Sequence, residues 1–167
     1  MPTLIKLSGD RAASADDSYL TVGAEDAIPS SGDVILSLAR FQAEGESLLA
    51  QGRKVGVRLE SDEEVESLVQ ALPRLSVVAL AFPKFRDGRH FSSAWLLRER
   101  FGYTGEVRAV GEVLRELASF MIRCGIDSFE PADGSTPDEW MATTKRYRHV
   151  YQRAADDRAP AFVEREA

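Results

Sequence analysis

Val77-Val78-Ala79-Leu80-Ala81-Phe82 is apolar at every position. It runs straight into Pro83-Lys84-Phe85-Arg86-Asp87-Gly88-Arg89-His90-Phe91-Ser92. Six apolar residues ended by a proline predict a short strand covered on both faces, as in the interior of a parallel sheet. Upstream, Val55, Val57 and Leu59 alternate with Gly56 and Arg58, which predicts a second strand, and Val34–Leu38 is a further short apolar run. Phe41, Leu48 and Leu49 mark a helix ending near Gly52. Ser61 with Glu64 has the form of a capping box, and Val65, Leu68, Val69 and Leu72 continue it as one helical face stopped by Pro73. Downstream, a helix is expected from about Ser92 to Phe101, closed by Gly102. Glu106–Val110 reads as a strand and Gly111 as a tight turn. Val113, Leu114, Leu117, Met121 and Cys124 read as a helix closed by Gly125, and Ile126–Phe129 as a short strand. Thr136, Pro137 and Glu139 combine a cap, a first-turn proline and a capping box. Trp140, Thr144, Tyr147 and Tyr151 follow at helical spacing, a stripe suited to docking on the sheet or on a second subunit.

The strands begin near residues 34, 55, 77, 106 and 128. A strand–helix period of about 22 residues predicts an α/β fold. It has about five repeated strand–helix units on a mostly parallel sheet with right-handed crossovers. Two architectures fit, an open sheet and a partial barrel resembling half of a TIM barrel. Arg58 and Arg108 sit at matching places in the second and fourth of these strands, and alternate strands of a barrel fill one interior layer, which favours the barrel. Residues 1–33 hold six carboxylates against Lys6 and Arg11 and only scattered apolar residues. They are expected to be a weakly structured arm or hairpin on a single domain spanning 34–155, with a charged tail at 156–167.

The 167-residue chain carries a net charge of −6, which argues against a nucleic-acid or membrane-surface binder. A single cysteine excludes an internal disulfide and a multi-thiolate metal site. With no run of 18 apolar residues and no charged-then-apolar leader, a cytoplasmic protein is expected.

In parallel α/β folds ligands bind beyond the carboxyl ends of the strands. The loop after 77–82 places Lys84, Arg86 and Arg89 beside Phe85 and Phe91 and leads to a helix start at Ser92, a pattern suited to an anion. From Lys84 to Arg123 there are eight basic and five acidic residues, a local charge of +3 in an acidic chain. The candidate ligand-binding set is therefore Lys84, Arg86, Arg89, Ser92, Arg108 and Gly111. The same arginines could simply fasten the loop through Asp87, Glu99 or Glu112. Asp87 and Glu112 are candidate acid–base residues, with Glu116 further along from Glu112 and Glu130 after the strand at 126–129 as additional carboxylates. Cys124, on an apolar face near a helix carboxyl end, is expected to be a structural thiol. His90 and His149 have no metal-ligand spacing, and His90 reads as a surface residue. No metal site is expected.

Phe-Pro-Lys-Phe-x-Asp-Gly-Arg (82–89), Leu-Leu-Arg-Glu-Arg-x-Gly-Tyr-x-Gly-Glu (96–106), Arg-Ala-Val-Gly-Glu-Val-Leu-Arg (108–115) and Arg-Cys-Gly-Ile-Asp-Ser-Phe (123–129) resemble an uncharacterised bacterial family encoded beside the sulfite reductase haemoprotein. Its members are commonly labelled oxidoreductases of sulfite reduction. The resemblance covers about residues 32–130. Phe91 stands where many members carry tyrosine, and Glu112, Glu116 and Leu117 replace Asp, Asp and Gln. The resemblance implies a role in assimilatory sulfate or sulfite reduction. The residues themselves offer no thiol pair, nicotinamide or flavin loop or cluster ligands, so they specify no cofactor. The leading expectation is an accessory protein whose arginine-rich loop binds an anionic ligand or an acidic partner, such as a component of sulfite reduction. The alternative is a small enzyme, an oxidoreductase or acid–base catalyst acting on an anionic substrate. A homodimer through the aromatic stripe is a third.

Overall fold

The computed structural model describes residues 4–9 and 11–165; residues 1–3, 10, 166 and 167, parts of the segment 1–33 and of the tail 156–167, lie outside it. The strands are β1 (Leu4–Ser8), β2 (Arg11–Ala15), β3 (Tyr19–Thr21), β4 (Asp33–Ser37), β5 (Val55–Leu59), β6 (Val77–Phe82), β7 (Glu106–Val113) and β8 (Ser128–Pro131). They form one sheet in the order β2-β1-β8-β7-β6-β5-β4-β3. Neighbours from β3 to β8 pair in parallel, whereas β1 pairs antiparallel with both β2 and β8, so the sheet is mixed. Residues 4–21 thus contribute three strands, and Leu4 and Ile5 are buried.

Chain connectivity forces this sheet to curl. Its two edges, β2 and β3, are joined only by Asp16, Asp17 and Ser18. Four residue steps span at most about 14 Å. Eight strands laid flat would place their outer members about 34 Å apart. The result is a curled half-barrel rather than an open sheet. Its convex face carries Leu36, Val57, Leu59, Val78, Leu80, Phe82, Val107, Ala109 and Phe129 into the main core against the helices. Its concave face carries a smaller cluster of Ile35, Val77, Ala79, Ala81 and Val110, with Tyr19 against it. Arg58 and Arg108 both lie in register with Ala79, one from each side, so they occupy one row of this inner face.

The helices are short. α1 (Leu38–Arg40) passes through a π turn, Phe41–Gly45, into α2 (Glu46–Ala50). α3 (Arg89–Trp95) continues as a π turn over Leu96–Arg100. It starts three residues before the expected Ser92. α4 (Ala118–Arg123), α5 (Pro137–Thr144) and α6 (Ala161–Glu164) complete the set.

Three local expectations are corrected. The helix expected after Ser61 is two 3-10 turns, Val65–Leu68 and Leu72–Arg74. The Ser61 hydroxyl accepts a hydrogen bond from Arg89 at 2.7 Å instead of capping a helix. α5 stops at Thr144, where the Thr143 and Thr144 hydroxyls donate to the carbonyls of Glu139 and Met141 and compete with the helical ladder. The aromatic stripe therefore splits. Trp140 is fully buried with its ring 4.8 Å from Phe129, while Tyr147 and Tyr151 are exposed. Gly111 is not a strand-to-helix turn. It lies inside β7 at φ +98°, where the register with β8 shifts between Ala109 and Val113. A Cβ there would stand 2.5 Å from the Phe82 carbonyl oxygen, so only glycine lets the two strands approach this closely.

Candidate functional site

The segment from Pro83 to Gly88 crosses the carboxyl ends of the parallel strands and is tied down on both sides. On the β7 side, the Phe85 backbone N–H donates to the Glu112 carboxylate. On the β5 side, the Arg89 guanidinium donates to Asp87 at 2.7 and 3.0 Å and to Ser61 at 2.7 Å. The Arg89 backbone N–H also points to Asp87, at 3.3 Å. The start of α3 thus already holds an anion, the chain's own Asp87. Its hydrogen bonds to Arg89 hold that carboxyl well below the usual range. Lys84, Arg86 and Ser92 are exposed. Among the described residues Lys84 and Arg86 have no ion-pair partner, and Phe85 between them is 45% exposed.

His90, expected at the surface, is 1% exposed. Its ring packs edge-on against Phe82. Nε2 lies 3.2 Å from the Leu59 carbonyl, which can only accept, so Nε2 carries the hydrogen and Nδ1 accepts from the Ser93 hydroxyl at 3.1 Å. Burial pushes its pKa down. His90 therefore fastens α3 to β5 as a neutral ring.

Arg108 does not join the loop. Its side chain is 0% exposed on the concave face of the half-barrel. It donates twice to Asp17, at 2.6 and 3.1 Å, and to Glu106 at 2.8 Å and Glu130 at 3.2 Å. Lys6 reaches Glu106 at 2.7 Å, and the Tyr19 ring lies 5.8 Å from the guanidinium carbon. Burial alone would raise the Asp17 and Glu106 carboxyls. The hydrogen bonds from Arg108 to both, and from Lys6 to Glu106, outweigh it and lower them. Asp17 belongs to the three-residue link between the two sheet edges, so this cluster fastens the curl from inside. Arg108 and Arg89 thus have separate partners and do not share a mouth.

Of the four carboxylates considered for acid–base work, three are likewise dispersed. Asp87 holds Arg89, Glu112 holds the Phe85 N–H, and Glu130 holds Arg108. Burial raises the Cys124 thiol, which packs against the core. Among the described residues no group of His, Cys, Asp or Glu side chains is arranged to hold a metal ion. No helix among them is long and apolar enough to cross a membrane. Sequence reasoning missed Asp17 as a partner of Arg108, because it lies 91 positions away and nothing local marks it.

Residues 56–162 match the model of a family described as "Bacterial protein of unknown function (DUF934)". The match runs from β5 into α6 and includes the loop 83–88 and Arg108, but not Asp17. No curated protein matches the chain.

Proposed function

The chain belongs to this bacterial family of unknown function, and from that premise we propose that it is an accessory protein whose loop at 84–86 docks an acidic partner surface. The observation that carries this reading is an exposed Lys84-Phe85-Arg86 triplet on a loop fixed at both ends. Two cations without ion-pair partners among the described residues flank an exposed ring. Pinning the backbone beforehand lowers the ordering cost of association. A small oxyanion is less well served, because the position at the start of α3 is filled by Asp87. Arg89 is thereby reassigned from ligand to fastener.

The motif resemblance to proteins encoded beside the sulfite reductase haemoprotein suggests that the partner is a component of assimilatory sulfite reduction. The test is calorimetric titration of the purified chain into the haemoprotein, with sulfite alone as a second titrant. Wild-type protein is expected to bind the haemoprotein and to bind more weakly as salt is raised. Lys84→Glu with Arg86→Glu is expected to weaken binding by tenfold or more. Equal affinity of the double variant removes the loop from the interface. Failure of the wild type to bind removes the haemoprotein as partner. Tight binding of sulfite would point to an anion-binding or enzymatic site instead.

A further inference from the structure

A second cationic surface lies away from the loop. Lys145-Arg146-Tyr147-Arg148-His149-Val150-Tyr151-Gln152-Arg153 carries four basic side chains and two tyrosines in nine residues, with no carboxylate. Every residue of it except Val150 is exposed, Tyr151 at 88%. Among the described residues none of Lys145, Arg146, Arg148 and Arg153 has an ion-pair partner. The segment is held in place from beneath. The Arg158 guanidinium donates to the carbonyls of Tyr147 and Arg148 at 2.9 and 2.7 Å. His149 meets the Glu164 carboxylate at 2.6 Å, and the Ala155 N–H donates to the Arg123 carbonyl at 2.9 Å. A fixed surface of arginine and exposed tyrosine has the composition of a protein interface.

The chain also carries the complement. Glu60-Ser61-Asp62-Glu63-Glu64-Val65-Glu66 places five carboxylates in seven residues. Glu64 and Glu66 are exposed and, among the described residues, have no ion-pair partner. The two segments cannot meet within one molecule. Residues 60–66 leave the carboxyl end of β5. Residues 145–153 sit, through the Arg123–Ala155 contact, beside the turn that leads into the amino end of β8. They thus lie at opposite ends of the parallel strands.

We infer that the 145–153 surface docks the acidic segment 60–66 of a second copy of this chain, head to tail. Such a contact is heterologous, so each assembly keeps one basic and one acidic face free at its two ends and the association runs on into rows. A polyphosphate chain is the poorer occupant. It extends beyond the patch, and the remainder of this chain carries a net charge of −10, from −6 overall and +4 in the segment.

Sedimentation of the full chain at about 20 mM salt is expected to give a mass that grows with concentration, and at about 500 mM salt a monomer, because exposed charge pairs are screened. Two double variants test the pairing: Arg146→Glu with Arg148→Glu, and Glu64→Lys with Glu66→Lys. All four side chains are exposed, and circular dichroism checks that the fold is kept. Each variant alone is expected to be monomeric at low salt. An equal mixture is expected to associate again, because the intact acidic segment of the first variant meets the intact basic surface of the second. A wild type that stays monomeric at low salt, a mixture that fails to associate, or a variant that still associates alone overturns the proposal. Binding of a labelled oligo-dT that is lost on Arg146→Glu with Arg148→Glu would also overturn it, assigning the patch to nucleic acid.

Discussion

Replacing Asp17 with asparagine tests whether the curl is fastened from inside. The change keeps the size of the side chain and removes one negative charge from the link between the two sheet edges. Arg108 is fully buried and takes both carboxylate oxygens of Asp17, at 2.6 and 3.1 Å. Breaking a buried ion pair by removing one partner typically costs about 3–5 kcal/mol. Here the cost is reduced, because Arg108 keeps Glu106 at 2.8 Å and Glu130 at 3.2 Å and the Asp17 side chain is 25% exposed. About 2–3 kcal/mol remains. For a chain of this length that is roughly a 5–10 °C fall in Tm. Calorimetry and urea unfolding followed by the fluorescence of buried Trp140 measure it. The acid limb supplies a second readout. The Asp17 carboxyl is lowered in the fold, so its contribution is fully present above the unfolded value near 4 and is lost as pH falls through the folded value. The gap between wild type and variant should therefore narrow between about pH 5 and pH 2. A loss of less than about 0.5 kcal/mol at pH 7, or a gap independent of pH, would refute the reasoning, and the three-residue link would then be a passive connection.

Arg98 donates to the carbonyls of Gly125, Tyr103 and Gly105 and to the Asp127 carboxylate. Arg98→Ala leaves these acceptors without their donor and is expected to cost about 3 kcal/mol in urea unfolding. His90 is buried and its pKa lowered, so the unfolded chain takes the proton more readily. Its contribution is complete above about pH 6.5 and declines below it. Unfolding free energies of wild type and a His90→Gln variant measured from pH 7.5 to pH 5 should converge, and parallel curves would show that the ring is not held neutral. Gly111→Ala places a Cβ against the Phe82 carbonyl at a positive φ. It is expected to destabilise by about 2–4 kcal/mol, and a variant within 1 kcal/mol of wild type would mean that β6 and β7 can part locally.

Strand positions could be read because their signal is local. The alternation of Val55, Val57 and Leu59 and the unbroken run at 77–82 each need only neighbouring residues to be understood, and both are buried in the sheet. The two capping-box patterns show where local reading stops. At Thr136 and Glu139 both reciprocal hydrogen bonds form and a helix follows. At Ser61 and Glu64 the same spacing gives none, because an arginine 28 positions away takes the serine hydroxyl. The pattern states what a residue can do, and the tertiary neighbour decides whether it does it. Arg108 is the larger case. A basic residue in a strand opposite an apolar face is equally consistent with a solvent-facing site and with an interior ion pair. The carboxylates that decide between them come from residue 17, across the closure, and from residues 106 and 130.

That closure has a consequence for where function can reside. In a barrel whose concave side is open, an arginine on the inner row would be the natural anion ligand. Here the connection from β2 to β3 crosses that side and presents Asp17 to it, while Glu106 and Glu130 approach from the walls. An external anion would have to displace a carboxylate that is covalently tethered within reach, and so acts at a high effective concentration. Charge that recognises a partner is therefore better sought where no tethered carboxylate answers it, at Lys84 and Arg86 beyond the carboxyl ends of the strands and at 145–153 toward their amino ends. The two proposals predict separate losses. Reversing charge at 84 and 86 should leave self-association intact, and reversing it at 146 and 148 should leave haemoprotein binding intact. If one pair of substitutions abolished both, the cations at the two ends would be acting only through net charge, and neither surface would be a site.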